Sequence, residues 1–416
     1  MMNMKAVLTG LLASTLTAAA SAQQGPVPKG VPHLDHIWVV MMENHSYSQL
    51  LNNPNAPFTN RYAKAANLAT NYFAVAHPSL TNYLETVGGS NFGVLDDNSP
   101  DWHNGSCVTN LQSAPNTEAS GNAICPITGS GTDAATPAID TTNESPGNPT
   151  INIDGVHSYD ANASTVGMSI ADQLAAAGKS WKSYQESLPP QGADGVNNSD
   201  GYFTSSTDFT QINPQLTPPL TQADLVALYA VKHNPFVYFQ SVQEGTGALS
   251  LSHAVSFEGD RGLYGDLSSG HVPTYSFIAP NQCNDQHGRG NAGAFCNFDP
   301  VSDGSQSGLN PALILKGDQT VQTIVTAIHR SPAWKNGRNA IVVLWDENDY
   351  SLAPNVNQVM TIVDTNYGPH HKTSAKYYNH FSLLKTIEGG LGLGCLNHAC
   401  DASATVMSDL FGSKGK

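Results

Sequence analysis

The sequence has few charged residues, and bases are the scarcer sign. Asp, Glu, Lys and Arg make up 12% of the 416 residues, and 33 acids against 18 bases give a formal net charge of −15. A protein that binds nucleic acid or an anionic membrane surface usually carries a basic patch, and this sequence has no obvious one. We therefore exclude nucleic-acid binding as the main function.

Long apolar runs are also missing, apart from one at the amino terminus. Lys5 precedes a largely apolar stretch that ends in Ala20-Ser21-Ala22, which is typical of a signal-peptide cleavage site. No other run approaches transmembrane length. We predict a signal peptide over residues 1–22 and a mature protein that is secreted or periplasmic and has no integral membrane segment.

Cysteine is limited to six residues, and none of their spacings resembles a zinc knuckle. They fall into three near pairs, each of which encloses a loop with Gly or Asn. We predict local disulfides formed in an oxidising compartment, with zinc binding as the alternative. The predicted pairs are Cys107 with Cys125, Cys283 with Cys296, and Cys395 with Cys400.

Glycine and proline, in contrast, are plentiful, with 37 and 25 residues. Together with the low charge, this composition indicates a loop-rich globular protein and not a coiled coil or a disordered chain. Residues 93–165 are especially rich in Asn, Ser, Thr, Gly and Pro. We interpret them as a surface insertion, held by Cys107–Cys125, in a single domain that spans residues 23–416.

Strand patterns alternate with helical patterns along the chain, without internal repeats. Such alternation predicts an α/β protein with a mostly parallel sheet covered by helices on both faces. The predicted strands are 36–42, 71–76, 181–185, 236–240, 272–279 and 339–345. The predicted helices are 60–69, one beginning at Ser79, 169–177, 224–232, 320–329 and 378–388.

Two of these strands end on pairs of side chains that carry oxygen atoms. The pairs are Glu43-Asn44 after the strand at 36–42 and Asp346-Glu347 after the strand at 339–345. In a parallel sheet both pairs would project from the edge where ligands bind, and their oxygens suit a hard divalent cation. Without a cation, three carboxylates there would repel one another. The alternative is that Glu43 and Asn44 only cap a following helix.

Three further residues could join this cluster. Asp285 and His287 follow the strand at 272–279, and His380 lies near the start of the last predicted helix. Asp and His suit zinc, iron or manganese as ligands. Each has a structural alternative, since a single His is often a hydrogen-bonded structural residue and Asp285 is close to Cys283.

Ser79 is the candidate nucleophile. It would lie at the amino end of a helix, where backbone N–H groups and the helix dipole favour an anion, and Asn82 would lie one turn further on. A hydroxyl beside a metal ion can attack phosphorus. Ser79 could instead be a plain helix cap, and a Ser-His-Asp hydrolase is a rival use that lacks support because no Gly-x-Ser-x-Gly surrounds it.

Five motifs in order resemble the phosphoesterase family of bacteria and fungi, which includes secreted acid phosphatases and the non-haemolytic type of phospholipase C. The family belongs to the alkaline-phosphatase-like superfamily, and the resemblance spans about residues 33–395. The motifs are Met42-Glu-Asn-His-Ser46, His77-Pro-Ser-x-x-Asn-Tyr83, Pro280-Asn-Gln-Cys-Asn-Asp-x-His287, Trp345-Asp-Glu347 and Tyr378-Asn-His-x-Ser-Leu-Leu-x-Thr-Ile-Glu388.

The resemblance implies an alkaline-phosphatase-like three-layer sandwich and a role for each residue that matches a motif. The implied metal ligands are Glu43, Asn44, Asp346 and Glu347, with Asp285 at a second metal position. The implied catalytic residues are Ser79 as the phosphorylated nucleophile, Asn82, His287 and His380. The implied substrate-binding residues are His77, Asn82 and His371, with His370 as a further candidate near the leaving group.

We therefore predict a secreted phosphoesterase that uses one or two divalent metal ions of unassigned identity. Hydrolysis of small phosphate monoesters by an acid phosphatase, through a phosphoserine, is favoured over phospholipase C activity, because no apolar and basic lipid-docking surface is evident. A catalytically inactive binding protein of the same fold would be expected to have lost one of the central residues, and all are present. Those residues are Glu43, Ser79, Asp346 and His380.

Overall fold

The structure, a computed structural model, describes ten stretches of the chain. They are residues 24–94, 97–100, 124–131, 150–152, 158–160, 165–188, 228–289, 292–297, 309–348 and 357–412. The predicted signal peptide, Cys107 and most of the predicted insertion at 93–165 lie outside these residues. No helix within the described stretches combines the length and apolar content that a membrane span requires.

The elements follow one another with short connections. The strands are β1 His36–Met42, β2 Asn67–Ala69, β3 Tyr72–Phe73, β4 Ser130–Gly131, β5 Thr150–Asn152, β6 Ser158–Asp160, β7 Thr165–Val166, β8 Trp181–Gln185, β9 Ala254–Ser256, β10 Tyr275–Ala279, β11 Asn339–Trp345, β12 Thr361–Thr365, β13 Thr373–Ser374 and β14 Tyr378–Asn379. The α-helices are α1 Tyr47–Leu50, α2 Pro57–Ala65, α3 Ser79–Gly88, α4 Ile170–Ala176, α5 Gln240–Gln243, α6 Leu263–Ser269, α7 Pro311–Arg330, α8 His380–Leu391 and α9 Ser408–Phe411.

Eight strands form the central sheet, in the order β13-β2-β12-β11-β1-β10-β8-β9. The five strands from β11 to β9 are parallel, and β12 is antiparallel to both of its neighbours. Strand β1 lies between β10 and β11, and Met42 at its end pairs with Trp345. The carboxyl ends of these strands therefore meet at one edge of the sheet.

Helices cover both faces of this sheet. On one face, the Tyr83 ring of α3 packs edge-on against Phe277 of β10, and α3 contacts α4 and α8. On the other face, α7 contacts α2 and α6, and Trp38 of β1 packs against Trp334, which follows α7. The α/β class and the mostly parallel three-layer arrangement are confirmed, and the residues of β11 are fully buried, as expected for a strand covered on both sides.

The long buried strands match their predicted bounds, whereas several shorter elements do not. The predicted helix at 60–69 is α2 followed by strand β2. The predicted strand at 236–240 is wrong, because a 3-10 turn at Pro235–Tyr238 runs into α5 and buries the apolar side chains without pairing to the sheet. Of the predicted helix at 224–232, the first four residues lie outside the described part, and Val231–His233 is a 3-10 turn.

Two of the three predicted disulfides are confirmed, and neither pair is a zinc ligand set. Cys283 is bonded to Cys296, and Cys395 to Cys400. The first bond closes the segment that contains Asp285 and His287, so it limits how far this segment can move from the sheet edge.

Gly317 permits close packing of α7 against the same segment. A Cβ atom at this position would overlap the Gln286 side chain, which accepts a hydrogen bond from Trp345 Nε1 at 2.8 Å and donates one to the Ile314 carbonyl at 2.9 Å. We expect Gly317→Ala to lower the free energy of unfolding by about 1–3 kcal/mol through overpacking, as measured by urea denaturation. In a Gln286→Ala background the same change should cost little, and an equal cost in both backgrounds would contradict this explanation.

Candidate active site

The predicted oxygen-bearing residues converge at the carboxyl edge of β1 and β11. The backbone N–H of Asp346 donates to the Met42 carbonyl at 2.9 Å, and the N–H of Asn44 donates to Asp346 Oδ1 at 3.1 Å. The N–H of Glu43 donates to the Asp285 carbonyl at 2.8 Å, which joins the segment after β10 to the same point. The carboxylates of Glu43, Asp285, Asp346 and Glu347 are all buried. The sheet therefore brings together residues that are more than 300 positions apart.

Ser79 lies at the first position of α3 and faces this cluster. Its Oγ is 3.1 Å from Glu43 Oε2 and 3.2 Å from Glu347 Oε1, and one hydroxyl proton can be donated to either oxygen. Pro78 is the residue that caps α3, and no side chain caps that helix end. The interpretation of Ser79 as a plain helix cap is therefore wrong. The buried serine is held between two carboxylates at the end of the sheet.

Glu43 and Asn44 do not cap the following helix either. The cap of α1 is Ser46, whose hydroxyl accepts from the N–H of Gln49 while the Gln49 side chain accepts from the N–H of Ser46. Asn44 adopts a left-handed conformation with φ of 52°. The side chains of Glu43 and Asn44 are thus left to serve the site.

Asn82 and His77 both contact Glu347. Asn82 Nδ2 donates to Glu347 Oε2 at 3.0 Å, and the His77 ring nitrogen Nδ1 lies 2.8 Å from the same oxygen. Asn82 Oδ1 accepts from the backbone N–H groups of Val75 and Ala76, which fixes the orientation of the amide. These two predicted residues lie beside Ser79, in a position to contact a group bound there.

His233 is a central residue that the sequence interpretation missed. Its Nε2 lies 3.0 Å from Glu43 Oε1 and its Nδ1 lies 3.1 Å from Asp285 Oδ2. Its ring stacks on that of Tyr83, whose hydroxyl donates to Glu43 Oε1 at 2.6 Å. Burial lowers the pKa of His233, but the two carboxylates outweigh this and raise it to about 10, so the imidazole carries a charge. The available signal was Lys232-His233, a basic pair in a base-poor chain.

Asp285 and His287 lie on the far side of His233. The N–H of His287 donates to Asp285 Oδ1 at 2.7 Å, and His287 Nε2 lies 3.2 Å from Lys232 Nζ. Burial raises the pKa of Asp285 to about 6, whereas burial and the Lys232 charge lower that of His287 to about 4. Ligand atoms of Glu43, His233 and His287 lie within 4.8 Å of one another, which would permit a metal site.

His380 contacts the back of the cluster and not the serine. Its Nε2 lies 2.7 Å from the Asp346 carbonyl oxygen, which can only accept, so Nε2 carries the proton. The Tyr72 hydroxyl, 3.0 Å away, then donates to Nδ1. Burial lowers the pKa of His380 to about 4, which keeps the ring neutral. This predicted catalytic residue therefore positions the main chain at Asp346.

The structure contradicts the placement of His371 and His370 at the substrate. His371 is exposed, and its Nδ1 bonds to the Lys64 carbonyl at 2.8 Å beside the start of β2. His370 is also exposed and lies 3.8 Å from Asp364 on β12. Both lie toward the edge of the sheet opposite the serine, because β13 runs parallel to β2 and begins at its amino-terminal end.

We expect His371→Ala to change kcat/KM for a phosphate monoester by less than about twofold, since the effect of a surface substitution away from the site is small. His77→Ala is the matched comparison, because it removes a histidine that contacts Glu347, and it should lower kcat/KM by at least about tenfold. The measurement is initial-rate kinetics on both variants. A large loss in His371→Ala would return this residue to the site.

The residues present fit a divalent cation. Within the described part of the chain, Asn44 Oδ1 and Asp346 Oδ2 are buried and have no hydrogen-bond partner. Burial, with the charges of Glu43 and Glu347, raises the pKa of Asp346 well above its usual range, and burial also raises that of Glu347. Buried carboxylates that repel one another are stabilised when a cation lies among them. The hard oxygen atoms suit magnesium, calcium or manganese, and the histidine side also permits zinc or iron.

The fold and the site together define an α/β enzyme in which a serine hydroxyl lies between carboxylates at a sheet edge. The model of the phosphoesterase family matches residues 49–296, so the chain belongs to this family and is a hydrolase that acts on phosphoric esters. This confirms the resemblance seen in the five sequence motifs.

Curated relatives carry more specific names. The chain is similar to a phosphatidylinositol-3-phosphatase of Mycobacterium tuberculosis, with 24% identity over 97% of this chain and 92% of that protein. It is also similar to an acid phosphatase of Aspergillus fumigatus, with 28% identity over 66% of this chain but only 42% of that protein. Among solved structures, a Vibrio parahaemolyticus protein of the alkaline phosphatase superfamily is 10% identical over 92% of this chain and 74% of that chain, with a TM-score of 0.44.

Proposed function

We propose that this protein is a phosphatase of the acid-phosphatase type, which hydrolyses phosphate monoesters through a phosphoserine at Ser79. One observation carries the proposal: the Ser79 hydroxyl lies at the amino end of α3 with both of its acceptors being buried carboxylates. The matched relatives support the monoester class, because two of them are named as phosphatases.

In the first step, the Ser79 oxygen displaces the alcohol from phosphorus. The hydrogen bonds to Glu43 and Glu347 orient that oxygen and give its proton an acceptor. Asn82 Nδ2 and the N–H groups at the start of α3 are placed to bind the non-bridging oxygens. In the second step, water attacks the phosphoserine, the phosphorus–oxygen bond to Ser79 breaks, and inorganic phosphate leaves.

The residues that would hold a divalent cation are Glu43, Asn44, Asp346 and Glu347. When bound, the cation would supply positive charge that lowers the pKa of the serine hydroxyl and stabilises charge at phosphorus. Asp285, His233 and His287 could hold a second ion or contact the phosphate directly. His233, as an imidazolium between Glu43 and Asp285, fixes both carboxylates in their present orientation.

We further propose that the protein is exported, to the periplasm or the medium. The two disulfides support this, because such bonds persist in oxidising compartments. Mass spectrometry of the mature amino terminus, isolated from culture medium and from periplasm, would test it. An intact Met1 on protein found only in the cytoplasm would refute export.

The assay that tests the activity compares p-nitrophenyl phosphate with p-nitrophenyl phosphorylcholine. Both substrates are hydrolysed at pH values from mildly acidic to mildly alkaline, with and without chelator. We expect faster cleavage of the monoester and a loss of activity on chelation that a divalent cation restores. Faster cleavage of the diester would instead indicate a phospholipase C, and cleavage of neither would indicate an inactive binding protein.

A further inference from the structure

Lys232 is a buried cation next to the candidate nucleophile, and the mechanism above gives it no role. The residue is 6% exposed, in a chain in which few residues carry charge. Its Nζ lies 2.8 Å from Asp97 Oδ2 and 3.2 Å from His287 Nε2. Burying an ammonium group costs free energy even when it is paired. A function at this position would account for the buried charge.

Asp97 joins Lys232 to the start of α3. Its Oδ1 accepts a hydrogen bond of 2.9 Å from the N–H of Leu80, the residue directly after Ser79. One carboxylate thus bridges two donors, a backbone N–H beside the nucleophile and a side-chain ammonium. The two oxygens of a carboxylate and two non-bridging oxygens of a phosphoryl group are similar in spacing and in charge. Asp97 occupies the donors that a phosphoryl group on Ser79 would need.

We propose that Lys232 binds a non-bridging oxygen of the substrate's phosphoryl group, that Asp97 fills this position in the free protein, and that Lys232 thereby selects phosphate monoesters over diesters. This inference rests on the proposed monoesterase function and assigns its substrate selectivity to one residue. The substrate displaces the Asp97 carboxylate from Lys232 and from the Leu80 N–H.

The selectivity follows from charge. A phosphate monoester carries about −1.5 to −2 at neutral pH, whereas a diester carries a single negative charge. The described groups that face Lys232 are Asp97 and His287 by contact and Glu43 and His233 by charge. A cation in a site with several carboxylates favours the ligand with more negative charge, and most of this preference would disappear with the cation.

The experiment compares Lys232→Met with Lys232→Arg in the full chain. We expect Lys232→Met to lower kcat/KM for p-nitrophenyl phosphate about 100-fold, the size of one charge-assisted hydrogen bond, and that for methyl p-nitrophenyl phosphate less than about threefold. Lys232→Arg keeps the charge and should retain at least about a tenth of the monoester activity. Lys182→Met is the matched control, since Lys182 is also buried and paired with an aspartate, Asp266, but lies away from the serine.

Asp97→Asn tests the occupancy of the position. It removes the internal negative charge but keeps an acceptor for the Leu80 N–H, so inorganic phosphate should inhibit at a concentration at least about threefold lower. Weaker inhibition would mean that Asp97 serves to hold Lys232 in place, and it would overturn this part of the proposal. If Lys232→Met does not fold, the double variant Lys232→Met/Asp97→Asn removes both charges and is assayed in its place.

The outcomes separate this inference from the proposed function. A wild-type protein that prefers the diester would overturn both. A wild-type protein that prefers the monoester, combined with equal losses on both substrates in Lys232→Met, would overturn only the inference and leave Lys232 with a structural role. An unchanged ratio in Lys182→Met, beside a collapsed ratio in Lys232→Met, is the expected result.

Discussion

Replacement of Ser79 by alanine is expected to lower kcat for phosphate monoesters by at least about 10⁴-fold, because the attacking atom itself is removed. The substitution deletes a hydroxyl whose two acceptors, Glu43 and Glu347, also have other partners. We therefore expect the free energy of unfolding to change by no more than about 1.5 kcal/mol. Activity and stability are affected to very different degrees.

Two further measurements make this prediction specific. Wild-type protein quenched in acid during turnover should yield a phosphorylated peptide that contains Ser79, and the variant should yield none. Ser331→Ala, which removes a buried hydroxyl after α7 that accepts from the Ala333 N–H, is the matched control and should keep full activity. A Ser79→Ala protein with more than a few per cent of wild-type activity would show that another group attacks phosphorus.

Replacement of Asp346 by asparagine is expected to have effects of opposite sign with and without metal. In the metal-free protein, the Asp346 carboxylate is buried beside Glu43 and Glu347, and its raised pKa means that ionisation opposes folding. The folded protein binds more protons than the unfolded one, so stability falls as the pH rises above the ordinary value of 3.8. At neutral pH, Asp346→Asn should therefore raise the melting temperature of the metal-free protein.

With metal present the order should reverse. Wild-type protein should gain melting temperature with added divalent cation, whereas Asp346→Asn should bind the ion at least about 100-fold more weakly and lose about 10³-fold in kcat. Differential scanning fluorimetry and metal titration measure these effects. Asp318→Asn is the control, because this buried aspartate caps the start of α2 at the Phe58 and Thr59 N–H groups, away from the site. A cation-independent melting temperature in the wild-type protein would argue against a metal at these residues.

The part of this site that could be predicted from sequence is the part that follows from strand periodicity. A run of seven apolar residues has only one way to lie in a sheet covered on both faces, so the ends of β1 and β11 were identifiable. Glu43 and Asp346 come directly after those ends. Their shared location then required only that the strands be parallel.

His233 and the antiparallel strand β12 could not be predicted in this way. His233 lies in a 3-10 turn, whose short period gives no pattern, and its place between Glu43 and Asp285 depends on the path of the whole chain. Strand β12 is short and flanked by Met360 and Asn366, and nothing local distinguishes it from a loop. The mistaken assignment of His371 has the same origin, because motif proximity does not specify which sheet edge a residue reaches.

The central position of β1 also determines how this protein can be divided. The family match begins at residue 49 and ends at 296, yet Glu43 precedes it and both Asp346 and Glu347 follow it. A fragment trimmed to the matched region would lack the middle strand of the sheet and its neighbour β11, and thus both strands that deliver carboxylates to Ser79. Neither half of the chain contains a partial active site that could work at reduced rate, so the catalytic unit is inherited whole or not at all.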